Sequence, residues 1–169
     1  MSFQSGLVRE SLETDVPRIA SIYAHYVRTS RATFEVQPPD VEEMTRRRAH
    51  VLECGLPYLV AVLEGVVVGF AYAAPYRPRA AYRFTVEDSV YIHPDHAGKG
   101  LGRLLLGEVI AACERAGRRQ MIAVIGGADN VASIVLHEKL GFRQAGVLQA
   151  VGFKFGDAVD TVLMQRQLR

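Results

Sequence analysis

Residues 96–106 read HAGKGLGRLLL. Glycines 98, 100 and 102 alternate and run into a leucine-rich stretch with helical spacing. A glycine loop that opens a helix exposes main-chain N–H groups at the positive end of the helix dipole, where anions bind. Glycine also lets backbone approach a ligand closely, so the amides of Gly98, Lys99, Gly100, Leu101, Gly102 and Arg103 can converge on a diphosphate. A plain glycine-capped turn is the alternative. Two familiar phosphate loops fail on spacing. A P-loop needs Ser or Thr directly after its lysine, and here Lys99 is followed by Gly100. The GxGxxG dinucleotide fingerprint counted from Gly98 meets Arg103 at its third glycine.

The 169 residues are enough for one domain with a substantial core, so 1–169 reads as a single domain. A hydrophobic fraction of 49% argues against disorder. A net charge of +2 is too small to imply nucleic acid. The run Arg46, Arg47, Arg48 has no interleaved aromatics and reads as a solvated helix face. Cys54 and Cys113 form no CxxC pair, so neither a disulfide framework nor structural zinc is expected. His93 and His96 have HxxH spacing, but Pro94 disfavours a helix there and no third ligand is evident. No stretch approaches the roughly 18 apolar residues of a membrane span, and no signal-like segment opens the chain. A soluble protein of the reducing cytoplasm is expected, without membrane, nucleic-acid or metal partners.

Hydrophobic periodicity predicts an α/β order. A short strand at 7–10 precedes a helix capped by Thr14, with Val16, Ile19, Ile22, Tyr23 and Tyr26 on its apolar face. A loop at 29–39 leads to a helix at 40–54. Strands at 58–63 and 66–73 form a hairpin turning at Glu64–Gly65. A strand at 84–92 feeds the glycine loop and a helix at 100–116. A fully apolar strand at 121–125 belongs at a sheet centre. A helix at 130–140 and strands at 144–155 and 160–168 complete the chain. In the strand at 84–92, Phe84, Val86, Val90 and Ile92 share one face, and Asp88 interrupts it. Asp88 is either a buried, paired carboxylate or the mark of a bulge near 87–89.

Three ordered segments carry a resemblance: TVEDSVYIHPDHAGKGLG (85–102), GADNVASIVLHEKLGF (127–142) and VGFKFGDAVD (151–160). Together they resemble the GNAT superfamily of N-acetyltransferases, in the branch containing phosphinothricin and methionine sulfoximine acetyltransferases. The acyl-CoA diphosphate motif of that superfamily is commonly Gln or Arg, two residues, Gly, one residue, then Gly or Ala. Gly100 and Gly102 match it, and Ala97 stands where Gln or Arg is usual. The resemblance implies a mixed, mostly antiparallel sheet, flanked by helices and splayed between two central parallel strands, here 84–92 and 121–125. Acetyl-CoA is then the co-substrate. Its pantetheine arm enters the gap and bonds the backbone around Val90, Tyr91 and Ile92. A homodimer is implied by the family alone.

Acetyl transfer to an amine requires deprotonation of the amine, a donor to the developing oxyanion and stabilisation of the leaving thiolate. Read from its strand alone, Glu87 is a solvent-facing carboxylate; the family comparison makes it the base. His137 stands where many GNAT enzymes place a proton-donating tyrosine, and either protonates the thiolate or only contacts the cofactor. Asn130 and Ser133 are expected at the pantetheine; Asn130 also reads as a helix cap. Arg77 and Arg83 match the branch and suit bidentate carboxylate recognition. Phe34 and Glu35 are expected to wall the acceptor pocket, and Lys154 either reaches a substrate carboxylate or is an ordinary strand-edge lysine. The implied acceptor is a small amino acid such as phosphinothricin, methionine sulfoximine or methionine sulfone. Acetylation of a protein N-terminus or a polyamine, and a non-catalytic acetyl-CoA sensor, are the alternatives.

Overall fold

The computed structural model describes residues 7–169. Seven strands form one sheet in the order β1-β2-β3-β4-β5-β7-β6. They are β1 (Val8–Glu10), β2 (Tyr58–Leu63), β3 (Val66–Pro75), β4 (Thr85–Ile92), β5 (Gln120–Gly126), β6 (Arg143–Lys154) and β7 (Asp157–Gln167). The helices are α1 (Val16–Thr29), α2 (Val41–Glu53), α3 (Leu101–Arg115) and α4 (Val131–Lys139). Every strand pair is antiparallel except β4–β5, which α3 connects as a parallel crossover.

Phe70 turns to one face of the sheet, where it meets Tyr23 of α1 and Tyr58 of β2. Gly69 turns to the other, where a Cβ would meet Leu105 of α3 at 3.2 Å. The sheet is thus sandwiched, α1 and α2 on one face and α3 and α4 on the other. Phe70, Ile19, Ile22, Leu105, Leu106, Met121 and Met164 are fully buried at its centre. Cys113 lies among them, and burial pushes its thiol up to about 12, so it is inert at neutral pH.

One local expectation is corrected, and the two readings of Asp88 are decided. Thr14 does not cap α1. A 3₁₀ turn at Glu13–Asp15 intervenes, and Asp15 accepts from the Leu12 N–H at 2.7 Å and pairs with Arg9. No bulge interrupts β4, whose register with β3 is regular from Gly69↔Ile92 to Pro75↔Val86. Asp88 is instead the buried, paired carboxylate. The bulges lie elsewhere, the larger in edge strand β6 between Leu148 and Gly152. There Ala150 takes a φ of 56° and its N–H donates to the Asp160 carboxylate at 2.7 Å.

Candidate active site

Strands β4 and β5 pair only at Thr85↔Gln120, Val86↔Met121 and Glu87↔Ile122. Beyond Glu87 they part. The freed edge of β4 is fixed by strand alternation. The His93 N–H bonds the Val68 carbonyl, and the Thr85 carbonyl accepts from Tyr76, so odd-numbered residues of β4 turn their backbone groups to β3. Even-numbered Asp88, Val90 and Ile92 therefore turn theirs into the gap. This divides the expected pantetheine contacts. Val90 presents free backbone; the Ile92 carbonyl already accepts the Tyr26 hydroxyl; the Tyr91 backbone is spent on β3, although the residue lines the cleft.

The gap widens into a cleft of about 760 Å³. One end reaches Ala97, Gly98, Gly100, Gly102 and Arg103, the middle runs past Glu87 and Val90 against Val124, and α4 contributes Asn130, Ser133 and His137. Gly100 caps α3 in the left-handed region at a φ of 83°, and Gly98 has a φ of 74°. Only glycine takes these values without strain. The first helical bond runs from Leu104 N–H to the Gly100 carbonyl. Among the described residues, no backbone acceptor meets the amides of residues 98–103. The Leu101 side chain is buried in the core and the Lys99 ammonium bonds the Asp95 carbonyl at 3.0 Å, so both offer the cradle only their amides. Gly102 sits where a Cβ would crowd Leu136 of α4 at 3.3 Å, which lets α3 and α4 close over β4.

Glu87 lines the cleft at the point where the strands part. Burial, and then the charge of Asp88, raise its carboxyl above the usual range, while Arg77 pulls it down. A raised carboxyl pKa suits a base working near neutral pH. His137 is almost fully buried on α4. Its Nε2 donates to Asp88 at 2.9 Å, and its Nδ1 lies 2.7 Å from the Ser133 carbonyl. Both nitrogens face acceptors, so no N–H is left to protonate a leaving thiolate. Asn130 caps α4 by accepting from the Ser133 N–H, while its residue also lines the cleft.

The expected acceptor residues separate. Phe34 lines the cleft. Glu35 does not; it is held in a bidentate pair with Arg47 at 2.8 and 2.9 Å and accepts the Tyr23 hydroxyl. Arg83 is turned away, its guanidinium 4.6 Å from the Phe84 ring centroid and its Nη1 bonded to the Ala80 carbonyl. Lys154 is buried and donates to the Ser30 and Thr33 carbonyls, both at 2.7 Å. Arg77 stays exposed over the Tyr76 ring and close enough to Glu87 to affect its charge. Sequence reasoning missed Tyr23, Tyr26, Tyr72, Thr33 and Lys139, all of which line the cleft. The tyrosines had helical or strand spacing and read as core; nothing in the pattern tells a cleft-lining ring from a packed one.

The rings of His93 and His96 are 5.9 Å apart, and among the described residues no group of three metal-ligating side chains occurs. No described helix is long and apolar enough to cross a membrane.

A mostly antiparallel sheet that splits between two parallel strands, over a helix opened by glycines, is the architecture of the N-acetyltransferases. The chain belongs to the acetyltransferase (GNAT) family, whose model matches residues 19–142. It is 58% identical to a phosphinothricin N-acetyltransferase of Alcaligenes faecalis, over 95% of this chain and 82% of the relative. It is 38% identical to an L-methionine sulfoximine/L-methionine sulfone acetyltransferase of Salmonella typhimurium, over 95% of this chain and 94% of the relative. A phosphinothricin acetyltransferase of Sinorhizobium meliloti, solved in complex with AcCoA, superposes with a TM-score of 0.93 at 47% identity, over 95% of this chain and 87% of that one.

Proposed function

We propose that the protein moves the acetyl group of acetyl-CoA to the α-amine of a small amino acid, of which phosphinothricin, methionine sulfoximine and methionine sulfone are the leading candidates. One observation carries this reading: the parting of β4 and β5 directly after Glu87 puts the free amides of the glycine loop, the unpaired backbone of Val90 and a raised carboxylate in one continuous cleft. Relatives with these acceptors in their names, matching nearly the whole chain, support the substrate class.

The amides of residues 98–103 hold the diphosphate, and the pantetheine arm runs along Val90. Glu87, directly or through a water, takes the proton of the attacking ammonium. The neutral nitrogen adds to the thioester carbon, the C–S bond breaks, and the second nitrogen proton passes through solvent to the departing thiolate. The Val90 N–H turns into the gap and is a donor for the charge that grows on the thioester oxygen. The thiolate leaves without a dedicated acid, because a thiol of pKa about 8.5 is already a fair leaving group. The transfer is direct, in a ternary complex; the buried Cys113 is no acyl acceptor. Arg77, exposed near Glu87, meets an acceptor carboxylate or second oxyanion.

The described residues 7–169 act as one domain in this reading, supported by a core that runs from Val16 to Leu168. The working form is a homodimer in the cytoplasm. Val147, Leu148, Val151 and Phe153 on edge strand β6 are exposed apolar side chains suited to a second copy, and the free thiols Cys54 and Cys113 accord with a reducing compartment.

Release of coenzyme A on mixing acetyl-CoA with methionine sulfoximine or phosphinothricin tests the activity. Turnover with these and not with spermidine or an N-terminal peptide is the expected result. Tight acetyl-CoA binding with no turnover across all four acceptors overturns it in favour of a sensor.

A further inference from the structure

The loop between α1 and α2 forms the acceptor-side wall of the cleft through Thr33 and Phe34, and it contains no helix or strand of its own over residues 30–40. Its position is imposed from the far edge of the sheet. Lys154 ends β6 and Asp157 begins β7. The tight turn between them puts Phe155 and Gly156 at φ values of 55° and 79°. Lys154 donates two hydrogen bonds from its ammonium to the Ser30 and Thr33 carbonyls, and the Phe155 ring centroid lies 5.1 Å from the same nitrogen. Asp157 pairs with Arg31 between those two carbonyls in sequence. The turn thus grips the loop from both sides.

The grip ends at Phe34. A Cβ on Gly152 of β6 would meet the Phe34 ring at 2.8 Å, and one on Gly126 of β5 would meet it at 3.0 Å and run into the Arg31 carbonyl. Two glycines therefore let loop and sheet approach this closely. Burying an ammonium is costly unless its protons are matched. Here two matched acceptors belong to the backbone of a single loop, so the ammonium defines where that loop lies.

We propose that the turn at residues 154–157 is a clasp that sets the position of Phe34 and so selects the amino acceptor, with Lys154 a positioning residue that does not touch substrate. The proposal rests on the acetyltransferase reading above. It differs from direct substrate contact by Lys154 in a measurable way, because a clasp acts through Phe34.

The test uses the full chain with Lys154→Met, Phe34→Ala and the double variant, assayed with methionine sulfoximine and acetyl-CoA. Lys154→Met is expected to raise the acceptor KM about tenfold, as misplaced contacts do, with the acetyl-CoA KM unchanged. In the Phe34→Ala background it is expected to add less than about twofold, the sign of coupled residues. Equal rises in both KM values, or a full Lys154→Met penalty in the Phe34→Ala background, overturn the clasp. Hydrogen exchange at residues 30–35 gives a readout independent of turnover. Faster exchange in Lys154→Met, partly restored in Lys154→Arg, supports the clasp, and unchanged exchange overturns it even if no acceptor is acetylated. Should Lys154→Met fail to fold, Asp157→Asn, which breaks only the exposed ion pair, is expected to speed exchange at 30–35 to a smaller degree; no change there overturns the clasp.

Discussion

The Asp88 carboxylate and the His137 imidazole meet at 2.9 Å on the floor of the cleft, each almost wholly withdrawn from solvent. The pair ties α4 to β4 at the point where β4 loses its other neighbour. Burial alone would lower the His137 pKa; the Asp88 bond and charge and the Ser133 carbonyl outweigh it, and the net shift is upward. A folded-state pKa raised above the unfolded value of about 6.5 gives stability that is fully present below that value and lost as pH rises through the folded one. The urea midpoint of the wild type is expected to fall as pH rises above about 6.5, and Asp88→Asn to remove most of that slope. Asp88→Asn should also destabilise by about 3 kcal/mol at neutral pH, since the buried ring loses its counter-charge and must give up its proton. A flat midpoint in the wild type contradicts an ionised pair.

Glu87 yields a kinetic prediction. Its pKa is raised by burial and by Asp88 and held down by Arg77. As a base it works only when ionised, so kcat/KM for the acceptor falls as pH drops through that raised value. Arg77→Met removes the opposing charge and is expected to move the acid limb to higher pH. Glu87→Gln is expected to lower kcat by about 10²–10⁴, as loss of a general base does, with the acetyl-CoA KM nearly constant. An unchanged kcat removes Glu87 from the role.

Gly100 gives a prediction about the diphosphate cradle. A Cβ there meets nothing within 4 Å, so a side chain has room; the obstacle is the φ of 83°. Gly100→Val is expected to cost about 1–2 kcal/mol locally and to turn the amides that follow, raising the acetyl-CoA KM by about tenfold. Calorimetry with acetyl-CoA checks it, and undiminished affinity places the diphosphate elsewhere.

Phe153 and Val151 are among the most exposed apolar side chains described, at 73% and 59%. If β6 faces a second copy, Phe153→Glu combined with Val151→Asp is expected to give a monomer in sedimentation velocity, with the urea midpoint little changed. A dimer that survives both substitutions uses another surface.

Most of the fold could be read from residue order. The hairpin strands at 58–63 and 66–73, joined at Glu64–Gly65, and the apolar run at 121–125 fall on β2, β3 and β5 to within a residue or two. The glycine loop of residues 98–102 was legible because the positive φ of Gly98 and Gly100 leaves a mark in residue type. Side-chain pairings leave none. Lys154, Glu35 and Arg83 read as pocket charges because sequence shows a charge and not its partner; Ser30 and Arg47 lie on other elements, and the turn that folds Arg83 onto Ala80 and the neighbouring Phe84 ring leaves no mark in residue type. Asp88 was narrowed to two readings by strand alternation, and only the position of α4 chose between them.

The bulge in β6 carries a last consequence. A twelve-residue edge strand studded with apolar side chains is ordinarily a template for endless strand addition. The extra residues between Leu148 and Gly152, pinned where Ala150 meets Asp160, break the straight run of free N–H and C=O groups. A neighbouring chain can pair along part of that border but not all of it, which works against open-ended strand addition.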